Sequence, residues 1–254
     1  MTAGLDFWAY HNRFTTVHPG VKVLFTLLAL EVGLSGAGPR VLLPLLGLMA
    51  ALTTSGAGVP ARVYFRLLAL PLGFMVVGVL AVVLSSGSGV TWGLSLAGTR
   101  VGITATGLAL ALKVGLRSLA AVSCLYFLAL TTPLPAVLAV LRRVGVPALV
   151  VEIAALTYRY LFVLQRVARG IYVSQVARGG YGSARAALCS LGLLAGQLFL
   201  ITHRQAQGLY AALLARGYRD TLLVPPQSYR WSGTGALRFA GLGTLLVLLR
   251  LLGG

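Results

Sequence analysis

Apolar stretches close to the thickness of a bilayer core recur along this chain, and they constrain its fold more than any other feature. About 20 helical residues cross the roughly 30 Å of hydrocarbon in a membrane. Four runs approach that length: Val21–Ala37, Leu67–Leu84, Val101–Leu130 and Ala236–Leu252. A further run, Val41–Thr54, is shorter. Because backbone polar groups in lipid must be satisfied within their own segment, these runs predict helices.

We therefore expect an all-α integral membrane protein with about five transmembrane helices, and a sixth if Ala186–Thr202 crosses the bilayer. The composition agrees, with 58% hydrophobic residues, 10% charged residues and a mean hydropathy of +0.90. The first 19 residues are polar and aromatic and lack the apolar core of a signal peptide, so we expect no cleaved signal.

The charge distribution predicts an orientation. The net charge of +17 comes from 21 basic and four acidic residues, and ten of the basic residues fall between Arg142 and Arg219. The segment before the first span also carries basic residues, Arg13 and Lys22. The positive-inside rule places both regions in the cytoplasm, in a multi-pass protein of the cell inner or plasma membrane. No base-stacking platform or known basic module accompanies the charge, so we expect no nucleic acid partner.

Three parts follow from these patterns. Residues 1–130 form the N-terminal transmembrane helices, residues 131–222 a cytoplasmic module, and residues 223–254 a linker and the C-terminal transmembrane helix. Pro225-Pro226 marks that linker.

The cytoplasmic module is expected to contain two long helices. Ala148–Arg178 has no proline, and its apolar residues recur at spacings of three and four. The glycine-rich segment Gly179–Ser183 separates it from a second helical stretch, Ala184–Arg216. Proline residues bound a short amphipathic helix within Thr131–Pro147, ahead of both.

Both long stretches end in the same triplet. These triplets, here termed the tips, are Ala177-Arg178-Gly179 and Ala215-Arg216-Gly217. Glycine is the usual residue just past a helix end, and a cation there meets the negative end of the helix dipole. One such triplet would be an ordinary C-cap. Two of them ending comparable helices indicate a surface that a partner contacts through the arginines.

The residues around the tips resemble a known family. The resemblance is carried by Thr132–Pro135, Leu141–Pro147, Ala155–Leu164 and the two tips. Together they resemble the transmembrane T component of energy-coupling factor importers, in particular the CbiQ branch associated with cobalt and nickel uptake. The segment His18–Leu24 is similar to the Asp-Pro-Arg-Ala-Lys segment that opens the first span in that family.

This resemblance implies a coupling role. A T component joins two cytoplasmic ABC ATPase subunits to a substrate-binding membrane subunit, the S component, which here would be CbiM-like. The tips would sit in grooves of the two ATPases, so the coupling residues would be Ala177, Arg178, Gly179, Ala215, Arg216 and Gly217. The chain would be a non-catalytic subunit that binds no cofactor and no metal of its own, because the partner ATPases bind ATP and the S component binds the ion.

Two details qualify the match. A third triplet, Ala168-Arg169-Gly170, lies too close to Tyr158-Arg159-Tyr160 to be a tip in the family pattern. Family members carry acidic residues ahead of each tip, whereas this chain has Gln165–Ala168 and His203–Gln207 there.

Other functions remain open at this stage. A T component for a vitamin substrate would show the same tips. A self-contained membrane enzyme is opposed by the lack of a Walker motif, a nucleophile elbow, an HExxH motif or paired carboxylates. A secondary carrier would show inverted repeats and broken midplane helices, which the sequence does not display.

A few polar residues in the apolar segments invite separate hypotheses. Glu31, Lys113 and Arg117 are intramembrane charges, for which we expect helix-to-helix charge pairing rather than an ion path. The three histidines are too scattered for a metal site. Cys124 and Cys189 are expected to be small buried hydrophobic residues.

Overall fold

A computed structural model describes residues 2–35, 38–83, 92–96, 99–103, 105–218 and 233–253. The chain divides into two compact units, Met1–Val137 with Gln227–Gly254, and Leu138–Pro226. Helices account for most of the described residues, and the predicted all-α class is confirmed. Their bounds are α1 Thr2–Tyr10, α2 Pro19–Leu34, α3 Pro39–Ala51, α4 Ala61–Val83, α5 Ala105–Thr131, α6 Leu134–Arg143, α7 Ala148–Ala177, α8 Ala184–Ala215 and α9 Gly233–Gly253.

One helix and one pair of strands were not predicted. Helix α1 forms in the polar and aromatic N-terminal segment. Strands β1, Trp92–Leu96, and β2, Thr99–Ile103, pair antiparallel as a hairpin, with Leu96 opposite Thr99. The apolar run that begins at Val101 is therefore divided, because its first residues belong to β2 and its helix begins at Ala105.

Several helices are suited to a bilayer. Among the described residues, four segments are long and apolar enough to cross one: Pro39–Gly56, Ala109–Thr131, Ala148–Ala177 and Ala184–Ala215. The first of these joins α3 to a single π-helical turn, Leu52–Gly56, in which the Ala57 N–H donates to the Leu52 carbonyl at 2.8 Å. These segments indicate a multi-pass membrane protein, and the count of five spans stays a prediction. Two of the four are α7 and α8, for which a cytoplasmic location was predicted, with a crossing by Ala186–Thr202 left open.

In the first unit, successive long helices run in alternating directions. The Lys22 ammonium at the start of α2 donates to the Thr131 carbonyl at the end of α5, at 2.9 Å. The Arg13 N–H donates to the Ala57 carbonyl just beyond α3, at 3.1 Å. The Tyr126 hydroxyl, late in α5, donates to the Leu67 carbonyl, early in α4, at 3.1 Å. The starts of α2 and α4 and the ends of α3 and α5 thus share one end of the bundle, here termed the Thr131 end.

Helix α9 runs parallel to α2. Phe239 lies near the start of α9 and contacts Phe25 near the start of α2, with ring centroids 5.2 Å apart. Towards the other end of the same two helices, Arg250 Nη1 lies 2.7 Å from Glu31 Oε1. Phe127 packs edge-on against Phe25 at 5.8 Å, so an aromatic cluster fills the core near the Thr131 end. Helix α9 therefore also begins at the Thr131 end.

The second unit contains the two long helices of the predicted cytoplasmic module. The bounds of α7 and α8 confirm the predicted stretches to within one residue at each end. Their connection is closed by side chains, since the Gln175 amide donates to the Ser190 carbonyl at 2.9 Å and the Ser190 hydroxyl donates to the Gly180 carbonyl at 2.7 Å. The predicted linker at Pro225-Pro226 lies outside the described residues.

Candidate functional site

The first tip ends α7 in a complete Schellman motif. Arg178 is the C-cap residue, with φ −93° and ψ 11°. Gly179 follows at φ +73°, a left-handed conformation that glycine adopts without steric cost. The Gly180 N–H donates to the Gln175 carbonyl at 2.9 Å and the Gly179 N–H to the Val176 carbonyl at 3.0 Å. The helix thus stops sharply at the arginine.

The second tip repeats this geometry at the end of α8. Arg216 is the C-cap residue, with φ −95° and ψ 11°. Gly217 has φ +75°. The Tyr218 and Gly217 N–H groups donate to the Leu213 and Leu214 carbonyls, both at 3.0 Å. Because the backbone angles agree within a few degrees, both tips present the arginine from the same helix-end geometry.

The third Ala-Arg-Gly triplet has a different structure. Ala168, Arg169 and Gly170 lie inside α7, two turns before its end. Gly170 does not adopt a left-handed conformation. A Cβ added at this position would meet no atom within 4 Å beyond its chain neighbours and the nearby backbone of its own helix. The exclusion of this triplet as a tip agrees with its place in the helix, and the triplet offers a matched internal control.

Both tip arginines are available for contact. Arg178, Arg216 and their neighbours in the triplets are exposed. Neither guanidinium makes a hydrogen bond or ion pair with a residue that the structure describes. Each lies at the negative end of a helix dipole, and its planar group can bind a carboxylate or two carbonyl oxygens of a partner.

The two tips lie at opposite ends of the α7–α8 hairpin. The first adjoins Ser190, near the start of α8, through the contacts that close the hairpin. The second ends α8, 26 residues after Ser190 in the sequence. At about 1.5 Å per residue, roughly 40 Å of helix separates them. One small binding groove cannot contact both.

Apolar side chains of the hairpin are left exposed by the part of the chain that the structure describes. Leu149, Ile153, Leu188 and Phe199 are all more than half exposed. A groove of about 610 Å³ also opens between α7 and α8, lined mainly by apolar residues such as Leu164. Exposed apolar area on this scale is typical of surfaces that face lipid or another protein.

The intramembrane charges are arranged differently from the prediction. Glu31 pairs with Arg250, and it forms no ion pair with Lys113 or Arg117 in the described part of the chain. Since α2 and α9 are parallel neighbours, their late residues meet at the end opposite Thr131. Lys113 is exposed on α5, and Arg117 is half-buried with its Nε lacking a partner among the described residues. A helix-to-helix Glu–Arg pair is present, but its cation was not the one expected.

Arg250 was therefore missed as the partner of Glu31. It is a basic residue in the last turn of a predicted span, and this placement is a signal that could have suggested it. No group of three or more His, Cys, Asp or Glu side chains is close enough to hold a metal ion in the described ranges. Cys124 is buried as predicted, whereas the prediction for Cys189 was wrong because it lies on an exposed face of α8.

The sequence matches a family of known proteins. The family model for cobalt transport proteins, CbiQ, matches residues 12–226. The cobalt transport protein CbiQ of Salmonella typhimurium is 32% identical over 77% of this chain and 88% of its own length. That of Rhodobacter capsulatus is 33% identical over 68% of this chain and 67% of its own length.

A longer relative matches as well. A protein of Methanocorpusculum labreanum, named as a fused cobalt transport protein CbiMQ, is 33% identical over 88% of this chain. The chain spans 38% of that relative's length. The family model covers most of the chain, including both tips, and the chain belongs to the CbiQ family of cobalt transport proteins.

Proposed function

We propose that this protein is the coupling subunit of an energy-coupling factor importer for Co²⁺ or Ni²⁺. It contacts two cytoplasmic ATPases through Arg178 and Arg216 and transmits their closure to a membrane subunit that binds the ion. The observation that carries the proposal is the pair of exposed arginines held in the same Schellman geometry at the ends of two long helices.

The spacing of the tips favours two ATPases. Two arginines on one helical hairpin, separated by roughly 40 Å, can each enter a groove on a different subunit. Because α7 and α8 are joined by a short connection closed by Gln175 and Ser190, a displacement of one tip is transmitted to the other helix. The hairpin can therefore act as a lever.

The direction of α9 limits where the hairpin can lie. Parallel helices that cross a membrane start on the same side, and α2 and α9 are parallel. Three helices, α3 to α5, return the chain to the side where α2 begins. Helices α7 and α8 then either both cross the membrane or both stay on that side, because a single crossing would reverse α9.

Charge favours the second topology. If both helices crossed, the tips would lie on opposite faces of the membrane. Ten basic residues between Arg142 and Arg219 would then have to be divided between the two faces or buried in lipid. If neither crosses, all ten and both tips lie in the cytoplasm. We infer that α7 and α8 are cytoplasmic coupling helices despite their apolar length.

The fused relative supports a membrane partner. Its name joins CbiM to CbiQ, and this chain corresponds to only part of it. We infer that a separate CbiM-like subunit supplies the ion site here and covers part of the exposed apolar surface. The chain itself then needs no catalytic group, since the ATPases hydrolyse ATP.

Transport provides the test. Cells that express the chain with its ATPases and membrane partner should accumulate radioactive cobalt or nickel, and Arg178→Glu or Arg216→Glu should reduce uptake at least tenfold. Arg169→Glu, in the third triplet, is the matched control and should retain uptake. Uptake by the chain without ATPases would instead favour a self-contained carrier. Uptake of a vitamin, but of neither metal, would favour the vitamin alternative.

A further inference from the structure

A buried ammonium group lies at the Thr131 end of the first unit. Lys22 is 2% exposed, and its Nζ donates to the Thr131 carbonyl at 2.9 Å. That carbonyl also accepts a hydrogen bond from the Asn12 amide at 3.2 Å. No carboxylate lies within salt-bridge distance of Lys22 in the described part of the chain. The positive charge is therefore removed from water without a negative partner among the described residues.

One carbonyl does not satisfy this group. An ammonium has three N–H donors, and the hydrogen bond to Thr131 uses one of them. The end of α5 supplies a partial negative charge, but the beginning of α2, where Lys22 lies, supplies a partial positive charge. Buried charges in proteins are otherwise paired or bound to ions, because an uncompensated one is strongly unfavourable.

A cavity of about 280 Å³ adjoins the ammonium. Its lining includes Lys22 and three residues with hydroxyl groups, Tyr10, Thr15 and Thr132. Tyr10 and Thr15 are exposed, whereas Thr132 is 4% exposed, so the cavity extends from the surface to the buried lysine. The space is several times the roughly 30 Å³ that one water molecule occupies in the liquid. It has room for a tetrahedral oxyanion.

We propose that this cavity binds a phosphate group, with the Lys22 ammonium as its cationic ligand and the surrounding hydroxyls as neutral donors. The phosphate can come from a lipid headgroup or from free phosphate in solution. The exposed cations Arg13 and Arg62 lie at the same end of the bundle and attract either source. The site does not depend on the coupling role proposed above.

Thermal unfolding of the full-length purified chain tests the site. The probes are inorganic phosphate against chloride at matched ionic strength in a phosphate-free detergent, and mixed micelles of the same detergent with or without phosphatidylglycerol. We expect saturating probe to raise the Tm of the wild type by about 5 °C. Lys22→Gln should abolish the rise. Lys113→Gln should keep it, since Lys113 is the only other lysine in the sequence and lies elsewhere on α5.

A second measurement needs no variant that removes the buried charge. Acetylation of the two lysines can be followed by mass spectrometry in the wild type and in Thr132→Val. Phosphate should slow acetylation of Lys22 in the wild type and leave that of Lys113 unchanged, and Thr132→Val should weaken this protection. The measurement keeps the test decisive if Lys22→Gln fails to fold.

The outcomes separate the sources. Protection and a raised Tm in inorganic phosphate assign the site to free phosphate, and an effect of phosphatidylglycerol alone assigns it to a lipid headgroup. An unchanged Tm and unchanged Lys22 acetylation with both probes would overturn the proposal, as would an equal rise in Lys22→Gln.

Discussion

At the scale of single residues, the tips depend on a backbone conformation as much as on a charge. Gly179 and Gly217 hold positive φ angles that stop each helix at its arginine. An L-residue in that region is disfavoured by about 1–2 kcal/mol because its Cβ meets the following carbonyl oxygen. Arginine alone does not make a tip.

We therefore expect Gly179→Ala and Gly217→Ala to lower the Tm of the detergent-purified protein and to weaken ATPase binding. Gly170→Ala is the matched control, since that glycine stands in the same triplet inside α7 with open space around it. Alanine in a helix interior should stabilise it by roughly 0.5–1 kcal/mol. A fall in Tm for Gly170→Ala equal to that for the tip variants would contradict this explanation.

The ion pair between Glu31 and Arg250 gives a second residue-scale prediction. Reversing the charge of either residue alone, by Glu31→Arg or Arg250→Glu, places two like charges where Arg250 Nη1 and Glu31 Oε1 now lie 2.7 Å apart. Each should lower the Tm, and the double exchange should restore most of the loss, because a restored pair is the signature of direct coupling. If the Tm of the double variant falls by as much as the sum of the two single-variant losses, the ion pair is not formed in the protein.

At this scale, the sequence predicted only those features that depend on residues close together in the chain. The difference between Arg169 and the two tip arginines could be read from spacing within one segment. The partner of Glu31 could not, because Arg250 lies 219 positions away and only the parallel packing of α2 on α9 brings them together. The burial of Lys22 was equally hidden, since a lysine near a helix start is normally solvated.

At the scale of elements, the strongly periodic helices were predicted and the short irregular pieces were not. Long apolar or amphipathic stretches carry their period over many residues, so α7 and α8 were bounded within one residue. Helix α1 and the hairpin of β1 and β2 span nine and five residues per element, too few for a period to emerge. The apolar run that continues into α5 also begins inside strand β2.

The position of α8 relative to the membrane is testable with a residue the chain already has. Cys189 is exposed on α8 and Cys124 is buried in α5. A membrane-impermeant maleimide should label Cys189 in inside-out vesicles and not in intact cells, because α7 and α8 are proposed to stay in the cytoplasm. Cys189→Ser should remove the label. Labelling from outside would indicate that both helices cross.

At the scale of the whole molecule, the exposed surfaces of the chain are those expected of one subunit of a larger complex. The first unit packs a core of aromatic and aliphatic side chains, whereas much of the α7–α8 hairpin surface is apolar and exposed. The two tip arginines at its ends make no hydrogen bond or ion pair within the described part of the chain, which fits contacts with partners. Membership of the CbiQ family agrees with a subunit of a transport complex. The proposal is therefore tested by measuring which partners the chain binds.

The most direct measurement is the number of ATPase subunits retained per chain after co-purification in mild detergent, counted by native mass spectrometry. We expect two for the wild type and for Arg169→Glu, fewer for Arg178→Glu or Arg216→Glu, and none for the double tip variant, with all variants inserted in the membrane. Retention of two ATPases by the double tip variant would contradict the central claim that these arginines couple the chain to its ATPases.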